Sequence, residues 1–149
     1  MTESLYLAIG GMPTLDRVHK IFYDKLYAHP WLGKFFIGHD QASIEKRQSL
    51  FMAEKMGATD VTYFGKQPKM AHRHLFITQE MYDLRHQILR DSLLEAGVDG
   101  DNLDRWLRID NAFHRQIVKP SVEEFYKSGW LFEPRVLINK PEFTPKTSQ

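Results

Sequence analysis

The chain has 149 residues, 42% hydrophobic and 26% charged, enough for one domain whose core needs no covalent staple. A formal charge of +1 gives no strong attraction to nucleic acid or an anionic membrane. The absence of cysteine excludes disulfides, zinc ribbons, thiol nucleophiles and iron–sulfur clusters. The first residues carry no basic segment, and Leu5–Ile9 is too short for a signal core or a membrane span, so the expected address is cytoplasmic.

In chain order, Ser4–Ile9 predicts a short helix stopped by Gly10-Gly11. Pro13 and Thr14 open a second helix with Thr14 as its cap, and Leu15, Val18, Phe22 and Leu26 fall on one face. Tyr23 lies at the flank of that stripe, where its ring can be buried and its hydroxyl can point into a neighbouring space. His29-Pro30 ends the helix, because a residue before proline avoids the helical region. Trp31, Leu32, Phe35 and Phe36 then form an aromatic turn that covers either the core or a bound ring system.

Ser43 to Met56 predicts the next helix, with Ile44, Gln48, Phe51 and Met52 sharing a face. An amide inside an apolar stripe must find partners or cost about 1–3 kcal/mol, so Gln48 is bonded to backbone or aimed at a ligand. Arg47 sits at the border of the same face, placed to meet an anion at a pocket mouth. Residues 57–67 read as a long loop.

Thr78 to Ala96 predicts a strong helix, capped by Thr78 and stopped at Gly97. Met81, Leu84, Ile88 and Ser92 mark its inner face with Tyr82 and Leu89 beside it, and Arg85 falls there too, which is awkward for a core. A last long helix starts at about Asp101 with Leu103, Trp106, Phe113 and Ile117 in register. Pro120 interrupts it, and Ser121 to Glu124 forms a fresh capping box. Val136–Ile138 can pack on the body, within a proline-bearing stretch that should be extended.

Between the loop and the strong helix lies Pro68-Lys-Met-Ala-His-Arg-His-Leu-Phe-Ile-Thr78. A histidine set among apolar groups close to a helix start can hold one metal ion through a neutral imidazole, or it can be a hydrogen-bonded core residue. His72 and His74 would face the same way only on a strand, so they do not share a metal on a helix or loop.

Gly10-Gly11, Phe22-Tyr23, Phe35-Phe36, Gln48 inside an apolar face, a glycine-bearing loop and Ala71-His72-x-His-Leu-x-Ile-Thr78 occur in an order and spacing that resemble the truncated haemoglobins, most closely group I. The resemblance covers about Leu7 to Val98. It implies an all-α, two-over-two helical sandwich around haem b, iron protoporphyrin IX, with a globin domain over residues 1–128 and an extended C-terminal tail over 129–149.

The resemblance further makes His72 the proximal iron ligand, Tyr23 the distal hydrogen-bond donor and Gln48 its partner. Phe36 would pack against the haem plane, Ile44 would be the apolar distal residue, Arg47 would pair with a propionate, and Phe51 and Met52 would line the gas route. Tyr82 and Leu89 would contribute to the haem contacts. Arg85 occupies a position that is apolar in the group I pattern, and a propionate is the expected partner for its charge. Gly57 is followed by Ala58 where the family pattern has a glycine pair.

The implied function is reversible binding of dioxygen, with nitric oxide and carbon monoxide as further gas ligands and neither nucleic acid nor membrane as a partner. The alternative is nitric oxide dioxygenation supported by an external reductase, since the chain contains no flavin or nicotinamide domain. A haem-free helical interaction module is the third reading. His19 and His39 lie near enough in the chain to the distal helices to be conceivable internal sixth ligands.

Overall fold

In the computed structural model, which describes residues 3–127 and 135–141, helices α1, α3 and α5 begin where a side chain meets their free N–H groups. Ser4 caps helix α1 (Leu5–Ile9), its hydroxyl accepting from the Leu7 N–H at 3.2 Å, and Gly10 closes the helix at φ 98°, a left-handed conformation that favours glycine. Helix α2 (Met12–Ala28) starts at Gly11, so Thr14 is not the expected cap but lies inside the first turn. Its hydroxyl donates to the Ile9 carbonyl at 2.6 Å and ties the end of α1 to the start of α2.

Leu15, Val18, Phe22 and Leu26 are all buried, as their helical spacing predicts. At the end of α2 the His29 Nδ1 accepts from the N–H groups of Trp31 (3.1 Å) and Leu32 (3.0 Å). That folds the chain into a tight 3-10 turn, Leu32–Phe36. Helix α3 (Gln41–Lys55) begins before Ser43, because the Asp40 carboxylate accepts from both the Ser43 N–H (2.9 Å) and the Ser43 hydroxyl (2.7 Å). An acceptor three residues upstream of the expected start captured the free donors first.

After the loop come a single turn, α4 (Pro68–Ala71), and the long helix α5 (Gln79–Glu95), capped by Thr78 through the Met81 N–H and followed by Gly97 at φ 88°. Helix α6 (Gly100–Asn111) stops nine residues before the expected break at Pro120, and α7 (His114–Ile117) and α8 (Val122–Lys127) follow. The interruption at Ala112–Phe113 lets the Phe113 ring reach Phe51, 5.2 Å away, while Ile117 still turns inward. Tertiary burial of these two side chains explains a break that local sequence does not mark. Ser121 caps α8 as expected, accepting from the Glu124 N–H at 3.1 Å.

Helix α2 packs on α3 and on α5, and α6 packs on α1 and α5. Their shared core holds Leu15, Phe22, Met52, Leu89, Leu93 and Trp106, each 2% exposed or less. Much of the expected tail, residues 129–134 and 142–149, falls outside the described residues. Residues 135–141 run back along the body, where Val136 pairs with Leu75 in a parallel bridge.

Candidate functional site

His72 follows directly on α4, whose proline start fixes the turn that presents it. Its Nδ1 lies 2.8 Å from the Pro68 carbonyl oxygen. A carbonyl only accepts, so the proton sits on Nδ1 and the lone pair is left on Nε2. Burial pushes the imidazole down to about 4, only partly offset by the Pro68 bond, so it is neutral near pH 7. A neutral, oriented imidazole of this kind has the chemistry to serve as a metal ligand, and a carbonyl bond on the other nitrogen raises its basicity.

Tyr23 is 7% exposed within α2. Its ring meets Phe22 edge-on at 4.9 Å and Phe36 edge-on at 6.0 Å, and Phe36 in turn stacks on Tyr27 at 4.8 Å. Burial pushes the Tyr23 hydroxyl well above its ordinary value, with the Arg85 cation acting against it, so the phenol keeps its proton and can donate. Ile44 and Gln48, one turn apart on α3, are half-buried, while Arg47 beside Gln48 is exposed. Phe51 and Met52 are buried in the core below them, Phe51 lying edge-on to Tyr63 at 5.2 Å. Phe36 and Ile44 pack on the same continuous core as Tyr23, Met52 and Leu89.

Arg85 departs from expectation. The awkward charge has a partner within the chain, the Asp110 carboxylate of α6, gripped through two bonds at 2.8 and 2.9 Å. The guanidinium also sits 5.2 Å from the centre of the Phe22 ring. The need for a propionate, argued from an unpaired buried cation, is therefore removed. Tyr82 likewise has other company: its hydroxyl donates to Asn111 Oδ1 at 2.8 Å, and its ring stacks on His86 and meets His114 edge-on. It lines a surface cleft with Gln79, Asp83 and Arg115.

Neither His19 nor His39 offers itself as a sixth ligand in this arrangement. His19 is 1% exposed, its Nδ1 2.8 Å from the Ser49 hydroxyl and its ring edge-on to Trp106. His39 is exposed, and its carbonyl accepts from the Tyr27 hydroxyl at 3.1 Å.

Sequence reasoning missed Asp110, whose signal was present: it stands four residues after Trp106 and seven after Leu103, on the same buried face. It also missed Lys119, whose Nζ donates to the His72 carbonyl at 2.5 Å and whose N–H donates to the Ile77 carbonyl at 2.8 Å. No local pattern marks that role.

The donor set decides which group could be held. Among the described residues no cluster of three or more His, Cys, Asp or Glu side chains could hold a bare ion. One oriented imidazole, with no second ligand beside it among the described residues, suits instead an iron that arrives with four porphyrin nitrogens in place. The residues present fit haem.

Comparison with known proteins points the same way. The model of a family described as bacterial-like globin matches residues 4–119. A group 1 truncated haemoglobin of Chlamydomonas moewusii is 30% identical over 104 residues, covering 68% of this chain; the match spans 60% of that relative's length. The 2/2 haemoglobin of Synechococcus sp., solved with covalently attached haem, is 28% identical with a TM-score of 0.70, covering 76% of this chain and 95% of its own. The haemoglobin of Chloroflexus aurantiacus gives 25% identity and a TM-score of 0.69 over 79% of this chain and all of its own. The fold also superposes on the truncated haemoglobin of Tetrahymena pyriformis, at 22% identity and a TM-score of 0.72, over 78% of this chain and 98% of the other. No helix among the described residues is long and apolar enough to cross a membrane.

Proposed function

Because this chain belongs to the bacterial-like, truncated globins, a haem-binding family whose members take gaseous ligands such as oxygen, we propose that it binds dioxygen reversibly at a haem iron held by His72. The observation that carries this reading is the His72 Nδ1–Pro68 carbonyl bond of 2.8 Å, which leaves a neutral imidazole with its Nε2 lone pair available. The group taken up is haem b, which supplies an iron centre with one open position for a diatomic gas. The name of the 30%-identical relative supports placement in group I.

The chain's own residues do the rest. His72 holds the group from one side, and Lys119 fixes its main chain through the His72 carbonyl. Tyr23 keeps its proton at any physiological pH, because burial opposes the phenolate. Its O–H is a donor for a ligand that takes on partial negative charge, in a setting dry enough for one hydrogen bond to count. Gln48 orients that hydroxyl or donates through its own amide. Phe36 and Ile44 exclude water, Arg47 at the rim pairs with a propionate, and Phe51 and Met52 border the route inward. Nitric oxide and carbon monoxide fit the same space, and conversion of nitric oxide to nitrate would need electrons from a reductase.

Absorption spectra of the ferric, ferrous and carbon monoxide forms test the reading directly. The purified protein, or the protein given haemin, should show a globin spectrum and a reversible oxygen complex. In His72→Gly, haem should be lost or its retention restored by free imidazole. A colourless protein that refuses haemin would overturn the proposal, and so would a normal spectrum in the His72→Gly variant.

A further inference from the structure

The family match ends at residue 119, yet residues 135–141 are engaged with the part of the fold that carries His72. The connection from His72 to Thr78 has little rigidity of its own. It follows a helix of four residues, too short to hold itself without tertiary support, and precedes α5. Apart from one internal turn, the Leu75 N–H donating to the His72 carbonyl at 3.0 Å, what fixes it comes from outside. On one side Lys119 donates its N–H to the Ile77 carbonyl and its Nζ to the His72 carbonyl. On another, the Val136 N–H donates to the His74 carbonyl at 2.8 Å and the Phe76 N–H donates to the Val136 carbonyl at 2.9 Å.

The same short segment is anchored again two residues on. The Trp31 indole N–H donates to the Ile138 carbonyl at 3.0 Å, a bond between residues 107 positions apart. Lys140 lies 2.6 Å from Glu80 at the start of α5 and 5.8 Å from the centre of the Trp31 ring. The segment therefore links the loop after His72 to the aromatic corner after α2, the turn that delivers Phe36 towards Tyr23.

We propose that residues 135–141 are a positioning strap: paired with residues 74–76 and hung from Trp31, they set the angle and distance at which His72 meets the haem iron. This rests on the reading of His72 as the iron ligand. A main-chain pairing suits the task, because it constrains the loop without placing a side chain in the space the porphyrin occupies. Two ladder bonds on residues 74 and 76 also fix the loop more firmly than one side-chain contact, since they involve no rotatable side-chain torsions.

The test compares the full chain with a chain ending at residue 134, with Val136→Pro, which removes the donor to His74, and with Trp31→Phe, which keeps an aromatic ring, though a smaller one, and removes the donor to Ile138. Three readouts are taken: amide hydrogen exchange at Phe76, the ferrous iron–histidine stretching frequency, and the rate of haem transfer to an apoglobin acceptor. The expected result is faster Phe76 exchange, a shifted iron–histidine band, and haem loss faster by about tenfold, the order of one net hydrogen bond. Trp31→Phe, the mildest change, should shift the band in the same direction by less.

An unchanged iron–histidine band in both Val136→Pro and the shortened chain would overturn the proposal, even if Phe76 exchange rises, because the strap would then pair without positioning. Unchanged exchange at Phe76 would overturn it as well. Failure of the underlying reading is separate: it would show as a normal haem spectrum in His72→Gly with the strap intact.

Discussion

Arg85 and Asp110 meet at the border of the core through two parallel hydrogen bonds of 2.8 and 2.9 Å, joining α5 to α6, with the Asp110 side chain 6% and the Arg85 side chain 20% exposed. Burial alone would raise the Asp110 carboxyl; the Arg85 guanidinium, with His86 at 3.8 Å alongside, holds it well below the ordinary carboxylate range. Removing one partner leaves an uncompensated buried charge. Asp110→Asn should therefore cost about 3–5 kcal/mol of unfolding free energy, whereas Arg85→Met combined with Asp110→Leu should cost much less than the sum of the single changes. Urea denaturation of the parent, Arg85→Met, Asp110→Leu and the double variant measures the coupling, and additive losses would remove the pair from the account.

The distal pair makes a kinetic prediction. The proposed hydrogen bond from Tyr23 to a bound ligand would contribute about 1–2 kcal/mol, roughly five- to thirtyfold in escape rate. Tyr23→Phe should speed dioxygen loss by that factor, and adding Gln48→Leu should speed it further. Stopped-flow displacement of oxygen by carbon monoxide reads both, and unchanged rates would exclude these two side chains from ligand stabilisation.

Acid should unfold the protein in a defined window. An unfolded histidine takes a proton near pH 6.5, whereas burial pushes His19 down to about 3 and His72 down to about 4. Between those values the unfolded chain binds more protons, so stability is full above about pH 6.5 and falls as pH drops towards 3–4. The slope should approach two protons, and His19→Met should remove about one of them. Denaturant midpoints between about pH 4 and 7.5 test the slope; an unaltered slope in His19→Met would refute the assignment.

Gly33 carries a steric prediction. A Cβ there would lie 2.6 Å from the Tyr27 carbonyl oxygen and 3.0 Å from that of Leu26, the backbone on which the 3-10 turn closes. Backbone cannot move aside as a flexible side chain can. Gly33→Ala should destabilise by about 1–3 kcal/mol and disturb the Phe36–Tyr27 stack. Thermal unfolding and near-ultraviolet dichroism would detect both, and a variant as stable as the parent would contradict the close approach.

The helices were largely legible because their signals are local. Thr78 and Ser121 announce caps, Gly10 and Gly97 announce stops, and the stripe from Leu15 to Leu26 announces a buried face. Where the reading slipped, a neighbour outside the pattern took over, as Asp40 did from Ser43 and Gly11 from Thr14.

By itself the sequence determined an all-α chain and the family it resembles, because apolar periodicity, capping residues and motif spacing are properties of short stretches. Only the tertiary structure decided that Arg85 is answered by Asp110, that His19 is answered by Ser49, and that Lys119 and Val136 hold the loop behind His72. Those partners stand 25, 30 and 47 residues apart in the bonds between Arg85 and Asp110, His19 and Ser49, and Lys119 and His72. Which distant polar group meets another is set by how the helices cross and by the cost of leaving either group buried alone, and neither is written in a local pattern.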